Sequence, residues 1–127
     1  MTKDRQQHPE KICRTCGRSF TWRARWRDNW HEVAYCSKRC RSNKPGKLDQ
    51  QLEATIAELL AERKRGATIC PSEAARRVAP DDWRDLMERT RAAARRLVAR
   101  GELEIPQRGR PVDPSSARGP IRLRSAT

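Results

Sequence analysis

The chain has 127 residues, 35% hydrophobic, 35% charged and 5% aromatic, so it can supply one ordinary domain or two small ones and no large enzyme core. Its 29 Lys and Arg against 16 Asp and Glu leave a net charge of +13, which favours polyanionic partners. The longest apolar run is four residues, Val33 to Cys36, far short of the roughly 18 a membrane-spanning helix needs, and the opening MTKDRQQHPEK shows no secretory pattern; the expectation is a soluble, cytoplasmic protein with no membrane partner.

The first 47 residues carry 13 basic and 4 acidic side chains, and within them Cys13-Arg14-Thr15-Cys16-Gly17 and Cys36-Ser37-Lys38-Arg39-Cys40 form two tight cysteine pairs. The total of five cysteines is odd, and without a secretory signal the pairs read as metal ligands rather than a disulfide scaffold. A CxxC turn presents two sulfurs while its backbone amides stabilise thiolate charge, and Gly17 gives the turn its freedom. The spacing of four in the second pair puts both sulfurs on one face of a helix predicted to start at Cys36 and run through Arg41. Cys13, Cys16, Cys36 and Cys40 therefore predict one structural zinc with no open coordination position, the alternative being unconnected thiols or a redox pair. His8 and His31 could substitute as ligands, but with four cysteines present they read as solvated. Arg18–Trp22 and His31–Tyr35 are predicted to pair as a hairpin, which would complete a treble-clef-like module. About 40 residues cannot fold on their own core, whereas structural zinc contributes about 10 to 16 kcal/mol of apparent binding energy, so folding and metallation are expected to be coupled.

Trp22, Trp26 and Trp30 are four apart and share a face, interleaved with Arg23, Arg25 and Arg27. Two readings remain open. Exposed aromatics among arginines suit single-stranded nucleic acid, which offers bases to stack and phosphates to pair. Alternatively, Trp22 and Trp30 pack over the zinc and Trp26 docks on the second domain.

Ser42 to Lys47 is polar with Pro45 and Gly46, and residues 43–47 read as a linker between a zinc module (1–42) and a second domain (48–127). Leu52, Ile56, Leu59 and Leu60 predict a first helix, stopped at Gly66 behind Arg63-Lys64-Arg65. Thr68–Cys70 can be a short extended piece, with Cys70 a small core residue; a second helix then runs to Ala79 with Ser72 as N-cap. After Pro80, Asp81 or Asp82 is expected to cap a third helix, whose apolar face runs from Trp83 through Leu86, Thr90, Ala94 and Leu97 to Val98 before Gly101. Its acids are expected to pair along the helix, Asp85 with Arg89 and Glu88 with Arg91, which makes it a poor major-groove reader. Glu102–Ile105 and Ile121–Arg124 then pair as a hairpin across a Gly- and Pro-rich loop. The fold class is α+β, mainly α: a small treble-clef-like zinc module followed by a winged helix-turn-helix domain.

CRTCGRSFTWRARW with YCSKRCR resembles a small bacterial zinc-binding family, and ICPSEAARRV, DDWRDLM and GRPVDPSSARGPIRLR resemble a winged-helix family, both known only as domains of unknown function. YCS followed by a second Cys at helical spacing is also similar to treble clefs of the FCS and TRASH type, which implies the same four cysteines as ligands. The resemblance implies fold and metal, and no activity.

No Gly-rich phosphate loop, HExxH or nucleophile elbow occurs, so neither an enzyme nor a small-molecule substrate is expected. The leading expectation is a nucleic-acid-binding protein, DNA or RNA. It would grip through Arg18, Trp22, Arg23, Arg25, Trp26, Arg27, Lys38, Arg39 and Arg41 of the zinc module. Arg108, Arg110, Arg118, Arg122 and Arg124 would form a basic wing, with Arg95, Arg96 and Arg100 ending the adjacent helix. Against this stands a generic basic surface, since 23 of the 29 cations are Arg. The competing expectation is a protein adaptor docking through the Trp and Arg surface on a ribonucleoprotein or a nucleic-acid-handling enzyme.

Overall fold

A computed structural model of the chain describes residues 8–126. Strands β1 (Glu10–Ile12) and β2 (Ser19–Thr21) pair antiparallel, Lys11 opposite Phe20 and Ile12 opposite Ser19. Short 3-10 turns at Ala24–Trp26 and Trp30–Glu32 lead to helix α1 (Lys38–Ser42). The predicted pairing of Arg18–Trp22 with His31–Tyr35 does not form. The sharp Cys13–Gly17 turn returns the chain directly onto residues 10–12, so β2 is already paired when the chain reaches Trp22. The 31–35 stretch instead supplies carbonyls: Ala34 accepts from the Arg14 N–H, and Trp30 and Val33 accept from Lys11 Nζ.

Helix α2 (Lys47–Ala61) starts inside the expected linker, because Asp49 at its third position accepts the Gly46 N–H at 2.9 Å and satisfies an orphan donor. It ends at Ala61, earlier than predicted, and Gly66, with φ +84°, turns the chain into β3 (Thr68–Ile69). Helix α3 (Pro71–Val78) is capped by Cys70, not Ser72. Pro71 occupies the first helical position, where its missing N–H costs nothing, and Glu73 accepts the Cys70 N–H at 2.9 Å. Cys70 is therefore a half-buried cap rather than a core residue.

Neither Asp81 nor Asp82 caps the next helix by its side chain. A 3-10 turn, Trp83–Leu86, comes first and α4 follows (Met87–Ala99). Its end is a Schellman motif: Gly101, φ +78°, donates to Val98 O and Glu102 to Leu97 O. Strands β4 (Leu103–Glu104), β5 (Pro106–Gln107), β6 (Arg110–Pro111) and β7 (Leu123–Ser125) complete the chain. β4 and β7 pair as expected. β7 also pairs with β3, giving an antiparallel sheet of order β3-β7-β4, while β5 and β6 form a separate hairpin. Arg108 (φ 53°) and Gly109 (φ +80°) make its two-residue turn, both in the left-handed region that a type I′ connection demands.

The core lies where α2, α3 and α4 meet this sheet: Leu52, Ile56 and Leu59 from α2, Ala93, Ala94 and Leu97 from α4, and Ile69, Leu103 and Leu123 from the strands are all buried. Ala74 and Ala75 of α3, with the two alanines of α4, let the helices approach closely. Thr90, also buried, donates to Leu86 O at 2.7 Å, so its hydroxyl is satisfied within its own helix. Among the described residues no helix is long and apolar enough to cross a membrane.

Candidate metal centre

The β1–β2 connection carries the first cysteine pair. Cys13 N–H donates to Arg18 O at 2.9 Å and Gly17 N–H to Cys13 O at 3.0 Å, and Gly17 takes φ +75°. In the second pair, Cys36 precedes the helix and Ser37 is the N-cap of α1, its hydroxyl accepting the Cys40 N–H at 3.1 Å. Helix α1 thus begins two residues later than predicted, yet Cys36 and Cys40 still converge. Thr15 ties the pairs together by donating its hydroxyl to Cys40 O at 2.7 Å.

The Sγ atoms of Cys13, Cys16, Cys36 and Cys40 all lie within 4.8 Å of one another, with Cys16 to Cys36 at 3.9 Å and Cys36 to Cys40 at 3.7 Å. Zinc at about 2.3 Å from four tetrahedral sulfurs sets them about 3.8 Å apart, so the donor set fits one zinc ion. A bound zinc would supply a cross-link between the two cysteine pairs. The sulfurs differ in ease of ionisation. Burial raises the Cys13 thiol, but N–H groups of Cys16, Cys36 and Thr15 outweigh it and bring the group to about 7. Burial pushes Cys36 up to about 12 and also raises Cys16, so these thiols hold their protons when no cation is present to favour the thiolate.

The turn bearing Cys13 and Cys16 is clamped onto α4. Arg95, 5% exposed, donates Nε to Cys16 O at 2.5 Å; Arg96, 7% exposed, donates Nη1 to Thr15 O at 2.7 Å and Nε to Glu53 at 2.6 Å. A Cβ on Gly17 would stand 2.4 Å from Arg95 Cβ, so only glycine lets the turn lie against the helix. Burial and the charge of Arg18 lower the Arg95 pKa, while its partner Glu88 acts the other way. Arg96 Nη2 is buried with no hydrogen-bond partner among the described residues.

These contacts overturn two expectations. Arg95 and Arg96 belong to the joint between the modules, not to a basic wing, and Arg100 pairs with Glu53 and Glu102. The acids and bases of α4 do not pair as Asp85–Arg89 and Glu88–Arg91: Arg89 makes a two-point bond to Asp49 of α2, both contacts 2.9 Å, and Glu88 meets Arg95. A planar fork on a mostly buried carboxylate outweighs an exposed pair along one helix. No signal in the sequence separates these arginines from the others, because each has a partner 40 or more positions away: Asp49 for Arg89, Glu53 for Arg96 and Arg100, and the Cys16 and Thr15 carbonyls for Arg95 and Arg96.

The ring contacts of the three tryptophans lie within the cysteine module. Trp26 and Trp30 pack on each other at 5.6 Å and against Phe20 at 5.5 and 5.7 Å, with Lys11 over Trp30 at 4.5 Å; all are half-buried. Trp22 stacks instead on His8 at 5.2 Å. Arg25 lies over Trp26, and Arg23, Arg27, Lys38, Arg39 and Arg41 are exposed. In the second domain Arg108, Arg110 and Arg118 are exposed, whereas Arg122 is bonded to Thr68 and Arg124 to Glu104.

A family model described as a protein of unknown function, DUF3253, matches residues 49–126, and the chain belongs to that family. Residues 4–43 match a second model, described as an uncharacterized protein conserved in bacteria, DUF2256. The two matches divide the chain where the cysteine module gives way to α2. No curated protein matches it.

Proposed function

We propose that the protein is a non-catalytic, cytoplasmic nucleic-acid-binding protein in which a structural zinc module and a winged helix-turn-helix domain form one basic surface. The order helix, strand, helix, helix, strand, strand and the sheet order β3-β7-β4 support the winged-helix reading. In such a domain α4 would be the helix offered to a major groove, but Arg95 and Arg96 of its outward side are taken up by the cysteine turn. Contact then falls to the zinc module and the long loop before β7. The observation that carries this reading is the seam between them: Ser19, beside Arg18, donates its N–H to Ser115 Oγ at 2.8 Å. Gln107, next to Arg108, donates to Arg118 O at 3.0 Å. The Ser19–Ser115 bond sets the strand after Arg18 against the loop that carries the exposed Arg118, which supports a basic surface shared by the two modules.

Fluorescence anisotropy of zinc-loaded protein with single-stranded RNA, single-stranded DNA and duplex DNA at two salt concentrations tests it. The expected result is binding that prefers one strand type, weakens steeply with salt, and falls when Arg23, Arg25 and Arg27 become Glu. Weak, equal binding to every polyanion would overturn it. The second reading, a protein adaptor, draws on the half-buried Phe20, Trp26 and Trp30 cluster, since Trp and Arg anchor protein interfaces. Copurifying proteins that survive nuclease treatment would favour that reading.

A further inference from the structure

Between the cysteine module and helices α2 and α4 runs an open cleft of about 780 Å³, walled by the Thr15–Ser19 turn and α1 on one side and by α4 on the other. Arg89, Arg95 and Arg96 line it, but each is already matched, to Asp49, Glu88 and Glu53 respectively. Arg18, Arg39 and Lys44 also line it. All three are exposed, and among the described residues none has a carboxylate partner. Arg18 faces a further cost, since it lies close enough to the buried Arg95 to repel it. Three of the four cysteines reach the same cleft, and zinc held by four thiolates carries two negative charges. Three unmatched cations against that charge leave one positive charge over.

We propose that this cleft seats one phosphodiester of a nucleic-acid strand, held by Arg18, Arg39 and Lys44. One surplus positive charge matches the single negative charge of a phosphodiester. Two guanidinium forks suit its paired oxygens, and Ala92 on the α4 wall leaves room for the strand. Phosphate contacts of this kind set position and register without reading sequence, consistent with a covered α4. The inference rests on the nucleic-acid reading and deepens it by naming where the backbone is held.

The test uses the full zinc-loaded chain with fluorescein-labelled single-stranded RNA and DNA. Lys44→Glu, which lies outside both cysteine pairs, and the double variant Arg18→Glu/Arg39→Glu are compared with Arg84→Glu, an exposed charge that does not line the cleft. Zinc content and thermal melting are followed for each. Loss of one phosphate contact should weaken Lys44→Glu by about tenfold and lower its salt slope by about one, with a larger loss in the double variant and Arg84→Glu within about twofold of wild type. If Lys44→Glu and the double variant bind like Arg84→Glu while wild type binds well, the cleft is overturned and the nucleic-acid reading stands. If wild type binds no strand, that reading falls and the cleft falls with it. At constant ionic strength, displacement of the strand by polyglutamate at equal charge would overturn a nucleic-acid seat in favour of a generic anion site; resistance supports it.

Discussion

Gly17 and Asp49 show how much rests on single positions. At Gly17 an added methyl meets both a left-handed φ of +75° and the α4 backbone, 2.8 Å from Arg95 C and Arg96 N. Gly17→Ala should therefore cost about 2 to 5 kcal/mol from strain and overpacking together, read as a lowered urea midpoint of the metal-loaded protein. A substitution at Gly66, where nothing lies within 4 Å, meets only the backbone strain and should cost less. Asp49 carries a pH dependence. Its bond from Arg89, with the Gly46 N–H, holds its carboxyl below the usual carboxylate value. A group whose folded pKa is depressed stabilises the fold above its unfolded value of about 3.9 and loses that contribution as pH falls through the lowered one. Asp49→Asn should thus be less stable than wild type by about 1 to 3 kcal/mol at pH 7, and the gap should close as pH drops below about 4. Comparing the two proteins at each pH cancels the loss of metal they share. Cys13, Cys16, Cys36 and Cys40 were legible from spacing alone, because a CxxC turn and an i, i+4 pair bring sulfurs together by local geometry.

Helix α4 has one face in the core and the other under the cysteine turn, so its two sides answer to different causes. Leu97 and the alanines are held by apolar burial, and Leu97→Ala should cost about 2 to 5 kcal/mol. Arg95 and Arg96 are held by carbonyls of the Cys13–Gly17 turn. Removing the metal with a chelator should release that turn, and hydrogen exchange should then quicken at residues 10–42 and on the outward side of α4 while the α2 core stays protected. Equal protection of α4 with and without metal would show that docking does not depend on the ligands. At this scale the sequence was a fair guide. Helix positions and the β4–β7 pairing followed from periodicity, but ends slipped wherever a cap competed with a neighbour, as at Ser72 and Cys70. The module hairpin was misplaced because His31–Tyr35 carries more strand-forming residues than Glu10–Ile12, and only the return of the Cys13–Gly17 turn selects residues 10–12 as the partner of β2.

The molecule as a whole is two modules locked by buried arginines. Arg95→Leu with Arg96→Leu would strip both donors from the joint. Small-angle scattering should then show a larger radius of gyration with zinc content unchanged, whereas an unaltered profile would mean that the Ser19–Ser115 seam suffices to hold the modules. The sequence by itself determined the four sulfur donors, the excess of positive charge and the main helices. These follow from composition and from contacts within a few residues, which local spacing encodes. Only the tertiary structure decided which arginines are free. Arg89, Arg95, Arg96 and Arg124 look like Arg18 and Arg39 along the chain, but the first four meet partners 7 to 81 positions away. A charge is taken or available according to what stands opposite it in space: Arg89 and Arg124 find their carboxylates once the second domain has folded, and Arg95 and Arg96 reach the Cys16 and Thr15 carbonyls only once the cysteine turn lies on α4.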